Sequence, residues 1–195
     1  MQTLGANAIR VYHVDASADH DGCMSAFADA GIYTWIDLDT FDTYLYTPDG
    51  AHWNQTQYVR FQKVMDAFAD YDNLAGFFVA NELLTTGQSS IGAPFIKAAA
   101  RDMKAYRDEK GYREFLIGYS AADIADLRPN LQNYMACGSD PSEALDFYSL
   151  NVSLTILYSD LLRRDSDYLD RPTNGVASRP TKSLDTRCCR RMPPT

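Results

Sequence analysis

The stretch Ala75-Gly76-Phe77-Phe78-Val79-Ala80-Asn81-Glu82 decides the fold. A run of apolar residues is closed by an amide and then a carboxyl. Strands buried on both faces read this way, because covering layers leave a parallel sheet no solvent-facing alternate positions. Four further runs have the same character: Ala8-Ile9-Arg10-Val11-Tyr12, Ile32-Tyr33-Thr34-Trp35-Ile36-Asp37-Leu38, Phe115-Leu116-Ile117-Gly118-Tyr119 and Asp146-Phe147-Tyr148-Ser149-Leu150. Amphipathic stretches of helical length lie between them, Tyr58 to Ala69 and Phe95 to Glu109 among them. Crossovers of that size force parallel pairing.

Each run ends in polar residues: His13, then Asp37 and Asp39, then Asn81 and Glu82, then Ser120 and Asp123, then Asn151. In a (β/α) barrel the C-terminal strand ends converge on one mouth, so polar groups gathered there make a site. The pattern predicts the α/β class and a (β/α) barrel. A doubly wound open sheet is the alternative.

A chain of 195 residues, 46% hydrophobic, supports one domain with a real core. Its net charge of -8 and pI near 4.7 exclude nucleic-acid and anionic-membrane partners, which need a basic face. No stretch approaches the roughly 20 apolar residues of a membrane span, and Met1 to Gly5 leads into the first strand without a signal-peptide pattern. The cysteines, Cys23, Cys137, Cys188 and Cys189, have no zinc-type spacing, so neither a metal nor another cofactor is expected. Adjacent Cys188 and Cys189 could hardly bridge each other without strain. For Cys23 and Cys137, two buried thiols and lost disulfides both remain open.

The chain changes character after Asn151. Residues 1–151 carry 10 Lys+Arg against 21 Asp+Glu, and residues 152–195 carry 8 against 5, with Arg163-Arg164, Cys188-Cys189-Arg190-Arg191 and Pro193-Pro194. Two parts are predicted: a partial barrel over 1–151 and a divergent, disordered tail over 152–195.

Glu82 is the leading candidate for chemistry. A glutamic acid at a strand end, partly desolvated by aromatic neighbours, can protonate a leaving glycosidic oxygen and later take a proton from an incoming hydroxyl. Asn81 beside it can hold a sugar hydroxyl. Tyr12, Tyr44, Tyr46 and Trp53 lie at strand ends or in the Asp39 to Trp53 loop and offer faces to sugar rings; the other aromatics belong to the core. Asp123 and Arg128 either pair with each other, or one binds sugar hydroxyls while the other orients Glu82. Arg10 and His13 at the first strand end are equally open, since an arginine there often anchors carboxylates inside a barrel. Two glycosylation triplets occur, Asn54-Gln55-Thr56 and Asn151-Val152-Ser153, the second on a strand end and a poor acceptor.

A longer succession of segments resembles one family. Leu4-Gly5-Ala6-Asn7-Ala8-Ile9-Arg10-Val11-Tyr12, His20-Asp21-Gly22-Cys23-Met24, Asp29-Ala30-Gly31-Ile32-Tyr33, Gly76 to Glu82, Ile96-Lys97-Ala98-Ala99-Ala100-Arg101-Asp102, Gly118-Tyr119-Ser120-Ala121-Ala122-Asp123 and Ala136-Cys137-Gly138 look, in this order, like the fungal β-1,3-glucanosyltransferases of glycoside hydrolase family 72. The resemblance covers about residues 4–151. It implies a (β/α)8 TIM barrel and a retaining transglycosylase that cuts β-1,3-glucan and joins the new end to an acceptor chain. It also implies work outside the cell at the fungal wall, commonly under a GPI anchor, with donor and acceptor glucans as partners. Carried over by position, Glu82 matches the acid/base, Asn81 its sugar-binding neighbour, Tyr12 a donor-site tyrosine, and Asp123 and Arg128 substrate-site residues. Asp39 falls in the family's second mouth loop.

The departures shape the remaining expectations. The family's nucleophile lies in a Ser-Glu-Tyr-Gly-like segment on a later strand, and no such segment occurs here. The first barrel strand is missing before Met1, with the cysteine that would pair with Cys23, and the usual partner of Cys137 would lie beyond the break. The chain is therefore expected to be a truncated form covering roughly strands two to six, and catalytically dead. The competing readings are an endo-β-glucanase on the same barrel, a non-catalytic glucan-binding remnant, and an interaction protein acting through its basic tail.

Overall fold

The computed structural model describes residues 2–40, 42–47 and 50–151. The expectations for residues 152–195, including their disorder and the pair Cys188 and Cys189, lie outside the described residues. Five parallel strands form one sheet: β1 (Ala8–Val11), β2 (Tyr33–Asp37), β5 (Leu74–Asn81), β6 (Leu116–Ala122) and β7 (Phe147–Asn151). Between β2 and β5 a small antiparallel hairpin, β3 (Tyr46–Thr47) and β4 (Gly50–Ala51), stands apart. The helices are α1 (Asp21–Asp29), α2 (Gln55–Phe68), α3 (Ala93–Glu109) and α4 (Arg128–Ala136).

The strand order β1-β2-β5-β6-β7 never reverses. A doubly wound sheet needs a reversal, the switch point at which its helices change face. Here each crossover adds its strand on the same side of the last, so the helices gather on one face and the open-sheet alternative is excluded.

Curvature is as decisive as order. Trp35 on β2 and Phe147 on β7 are separated by two intervening strands, about 14 Å in a flat sheet. Their ring centroids are 4.8 Å apart, and Phe78 on β5 lies 5.8 Å from Trp35 and 5.0 Å from Phe147. The sheet is rolled tightly enough for three rings to meet on its concave side, as a barrel wall requires. Two glycines leave room for them. A Cβ on Gly76 would sit 2.8 Å from the Trp35 ring, and one on Gly118 would sit 2.7 Å from the Phe147 ring.

The convex face carries the main core. Ile36, Phe77, Val79, Ile117, Tyr119 and Ala121 meet Phe61 and Met65 of α2 and Ile96 and Met103 of α3, all buried. Phe77 stands edge-on to Phe115 at 5.1 Å. Burying side chains of this size stabilises the fold by about 1.5–3 kcal/mol each before chain entropy is counted.

Most predicted boundaries move by one to three residues, for local reasons. Helix α2 starts at Gln55 rather than Tyr58 because Asn54 and Gln57 form a reciprocal capping box. Strand β6 runs on to Ala122, so Ser120, expected just beyond the strand, lies within it and is buried. Cys23 on α1 is exposed, which corrects the reading of two buried thiols; Cys137 at the end of α4 is buried, and neither is in a disulfide.

Candidate active site

Above the ring cluster the concave face turns polar. Arg10 reaches from β1 to β2, where its Nε and Nη2 donate to the two carboxylate oxygens of Asp37 at 2.7 and 2.6 Å. Its Nη1 donates to Ser120 Oγ on β6 at 2.5 Å and, at 3.5 Å, to Asn151 Oδ1 on β7. The guanidinium also stacks over Phe78 at 3.9 Å and Tyr12 at 4.3 Å. Arginine suits this place because its planar fork holds a carboxylate in two bonds while its face lies on aromatic rings. Burial raises the Asp37 carboxyl above its ordinary range, and the hydrogen bonds and charge of Arg10 oppose that rise.

Asn151 carries the network onward. Its Oδ1 accepts from Ser120 Oγ at 2.6 Å, which turns its amide nitrogen toward β5. Nδ2 donates to Asn81 Oδ1 at 2.9 Å and to Glu82 Oε1 at 2.8 Å. One connected set of polar side chains therefore crosses the ends of all five strands, from Asp37 and Arg10 through Ser120 and Asn151 to Asn81 and Glu82.

Glu82 has a left-handed backbone, φ 49°. That conformation is uncommon without glycine and costs of order 1–3 kcal/mol, so the surroundings must enforce it. The enforcing contact is the Glu82 amide, which donates to the Ser120 carbonyl at 2.8 Å just past the end of β5. The side chain is thereby turned into the mouth, where it is exposed. The aromatic enclosure expected around it is not built by the described residues. Asn151 thus holds Oε1, and among the described residues no donor reaches Oε2.

The other predicted site residues divide. Tyr12 is 48% exposed and lies against Arg10, beside the network. Asp123 accepts a hydrogen bond from Arg128 Nη2. Of the two alternatives for that pair, the structure therefore displays mutual pairing, and neither residue bonds to Glu82 or Asn81 among the described residues. Arg128 is the first residue of α4. Trp53 is corrected from a mouth residue to a packing residue: Nε1 donates to Asp102 of α3 at 2.8 Å, and its ring lies 5.0 Å from that of Phe61.

Asp39 is unlike the rest. It is 1% exposed, and neither carboxylate oxygen has a hydrogen-bond partner. Burial, with the charge of Asp37 added, lifts its pKa to about 8. Tyr44, half-buried and edge-on to His13 at 6.2 Å, is raised by burial and by the charge of Asp39. Asn151 is the residue that site prediction passed over. Its signal was present, a polar residue closing the fifth strand, but only the sheet's curvature brings it to Glu82.

The glucanosyltransferase family profile matches residues 1–161. This chain belongs to the glucanosyltransferase family. It is 43% identical over 162 residues to 1,3-beta-glucanosyltransferase PGA5 of Candida albicans, covering 78% of this chain and 25% of that protein. With 1,3-beta-glucanosyltransferase gel1 of Aspergillus fumigatus it shares 44% over 150 residues, 76% of this chain and 33% of the relative. Saccharomyces cerevisiae Gas2p, solved in complex with laminaritriose and laminaritetraose, superposes with a TM-score of 0.73 at 35% identity, over 77% of this chain and 34% of Gas2p. The chain thus spans a quarter to a third of the length of the relatives it matches. The rolled parallel sheet is, within the glucanosyltransferase family, part of a (β/α)8 barrel, and the polar network lies at the C-terminal strand ends where such barrels build their sites.

Proposed function

We propose that this chain carries the acid/base half of a retaining 1,3-beta-glucanosyltransferase site. The observation that carries the reading is Glu82, held in a left-handed turn at the end of β5 with one oxygen fixed by Asn151 and the other facing the mouth. A rigid carboxyl of this kind hands its Oε2 proton to the glycosidic oxygen as the leaving chain departs, then recovers a proton from the acceptor hydroxyl. Asn151 serves both halves of that cycle, because Oε1 accepts its hydrogen bond whether or not Oε2 is protonated. Asn81 is assigned to a sugar hydroxyl, and the exposed Tyr12 ring to an apolar sugar face. Asp123 and Arg128, paired and preorganised, line the same mouth as substrate residues. Residues 1–151 are the catalytic part, and 152–195 a separate basic segment.

The substrate class follows from the laminari-oligosaccharides held by Gas2p: β-1,3-glucan chains as donor and acceptor. The acidic chain suits an uncharged polymer. Location at the fungal cell surface, with a GPI anchor on the mature enzyme, completes the reading.

Retaining chemistry needs a second carboxylate about 5 Å from the first. Among the described residues the mouth carboxylates are otherwise committed: Asp37 to Arg10, Asp123 to Arg128, and Asp39 beneath the surface. The chain on its own is therefore expected to bind glucan without turning it over. Incubation with reduced laminari-oligosaccharides, followed by chromatography, is expected to give neither longer nor shorter products, while calorimetry detects binding that Glu82→Gln leaves nearly intact. Longer products would overturn the half-site reading, and shorter products alone would favour a hydrolase.

A further inference from the structure

The two glycosylation triplets occupy opposite situations in the fold. Asn54 is the exposed N-cap of α2. Its Oδ1 accepts from the amides of Thr56 at 2.9 Å and Gln57 at 3.1 Å, and among the described residues its Nδ2 donates to nothing. The helix thus uses one atom of the amide group and leaves the other pointing into solvent. At Asn151 both Nδ2 protons are spent, on Asn81 and Glu82 inside the mouth.

We propose that Asn54 is an N-glycosylation site of this protein and that Asn151 is not. The inference rests on the extracellular location argued above. The chemistry is a group transfer from a polyprenyl-pyrophosphate-linked oligosaccharide. The Asn54 Nδ2–C1 bond forms, the bond from C1 to the pyrophosphate oxygen breaks, one amide proton is lost, and the polyprenyl pyrophosphate departs. The product is compatible with the native fold. A glycosylated amide keeps its carbonyl oxygen, so the cap survives, and the glycan projects from an exposed residue without displacing a neighbour. The same modification at Asn151 would fill the mouth and remove a donor from either Asn81 or Glu82. Helix α2 begins where the chain has left the C-terminal end of β2, so the glycan at Asn54 stands outside the strands on the mouth side of the barrel wall.

The test expresses the full chain behind a cleavable secretory leader in yeast, which separates this inference from the question of natural export. Endoglycosidase treatment is expected to sharpen and lower the electrophoretic band by one glycan. Peptide mass spectrometry is expected to place that glycan on Asn54. Thr56→Ala abolishes the triplet but leaves both the Asn54 side chain and the amide it caps, and is expected to abolish the shift. Thr56→Ser preserves the triplet and is expected to preserve the shift. Asn151→Gln is expected to change nothing in the glycan pattern. An unmodified Asn54 in chain that has entered the secretory route, or a glycan on Asn151, overturns the inference. The location argued above is tested separately, by whether a membrane-impermeant label on intact source cells reaches this protein; if it does not, that location fails, while the Asn54 result with the leader still stands.

Discussion

Asn151 touches more of the site than any side chain except Arg10, and its worth lies in having every polar atom used. Replacing it by alanine leaves Ser120 Oγ without its acceptor, and Asn81 Oδ1 and Glu82 Oε1 without their donor. Leaving Ser120 and Asn81, which are buried and part-buried, unsatisfied costs about 1–3 kcal/mol, whereas exposed Glu82 can turn to water. Asn151→Ala is expected to lower the urea-unfolding free energy by about that much and to weaken laminari-oligosaccharide binding at least severalfold. An unchanged affinity would show that the network does not hold the mouth in shape. Asp39 makes the opposite case, a buried carboxyl that satisfies nothing. Its pKa of about 8 in the native state exceeds the 3.8 of an ordinary aspartate, so between these values the folded protein holds a proton that the unfolded chain has released. Stability therefore falls as pH rises across that window. The contribution of neutral Asp39 is whole below about 3.8 and gone once pH has risen through 8. Asparagine has the same shape and no charge to bury. The unfolding free energy of Asp39→Asn is expected to gain on that of the wild type by roughly 2–4 kcal/mol between pH 5 and pH 8, at 1.36 kcal/mol per unit. Parallel pH profiles for the two proteins would show that Asp39 is not a neutral acid in the native state.

At the scale of elements, what was legible in the sequence was what periodicity reports. All five strands are where the apolar runs put them: β5 and β6 are buried over most of their length, which fixes their composition, while β1 and β7 are apolar runs that are at most half-buried. The hairpin β3–β4 was not legible, since two-residue strands have no period and are set by their surroundings. Nor was the fate of Trp53, which depends on a hydrogen bond to a helix 49 positions away. Arg10, Asp37, Ser120 and Asn151 were visible individually as polar residues at or near strand ends, while their connection was not. It exists only because the sheet curls, and the curl depends on how rings and glycines meet across strands. That dependence is testable with two glycines of contrasting surroundings. On β6 a Cβ added to Gly118 would come 2.3 Å from the Phe147 carbonyl oxygen, a backbone atom that moves only if β7 moves. Gly118→Ala is expected to cost about 2–3 kcal/mol or more, at the upper end for overpacking. On α1 nothing lies within 4 Å of a Cβ on Gly22. Gly22→Ala is expected to stabilise by about 0.5 kcal/mol, because alanine has less freedom to lose on entering a helix. Chemical denaturation of the two variants reads both signs, and equal effects would mean that glycine at 118 is not what lets β7 approach β6.

For the whole molecule the open question is how a rolled sheet ends. Among the described residues β1 pairs only with β2 and β7 only with β6, so each presents an outer edge of unpaired amides and carbonyls. On the concave side Trp35, Phe78 and Phe147 form a cluster that closed barrels bury beneath further strands. Tyr33 and Leu116, at the N-terminal ends of β2 and β6, are 55% and 43% exposed. Unpaired edges beside exposed apolar surface are the usual route to edge-to-edge association, which charge of one sign resists but short-range pairing overcomes once strands touch. The net charge of -8 acts over about one Debye length, 10 Å at 0.1 M salt, and is screened to about 3 Å at 1 M. Association of the isolated chain is therefore expected to depend on concentration and to grow with added salt, as repulsion is screened and edge pairing is not. Light scattering coupled to size exclusion, run over a hundredfold range of protein concentration at low and high salt, measures this directly. A monomer at every concentration and both salt levels would mean that the edges are covered by the chain's own residues, and that the sheet is sealed without the strands a full barrel adds.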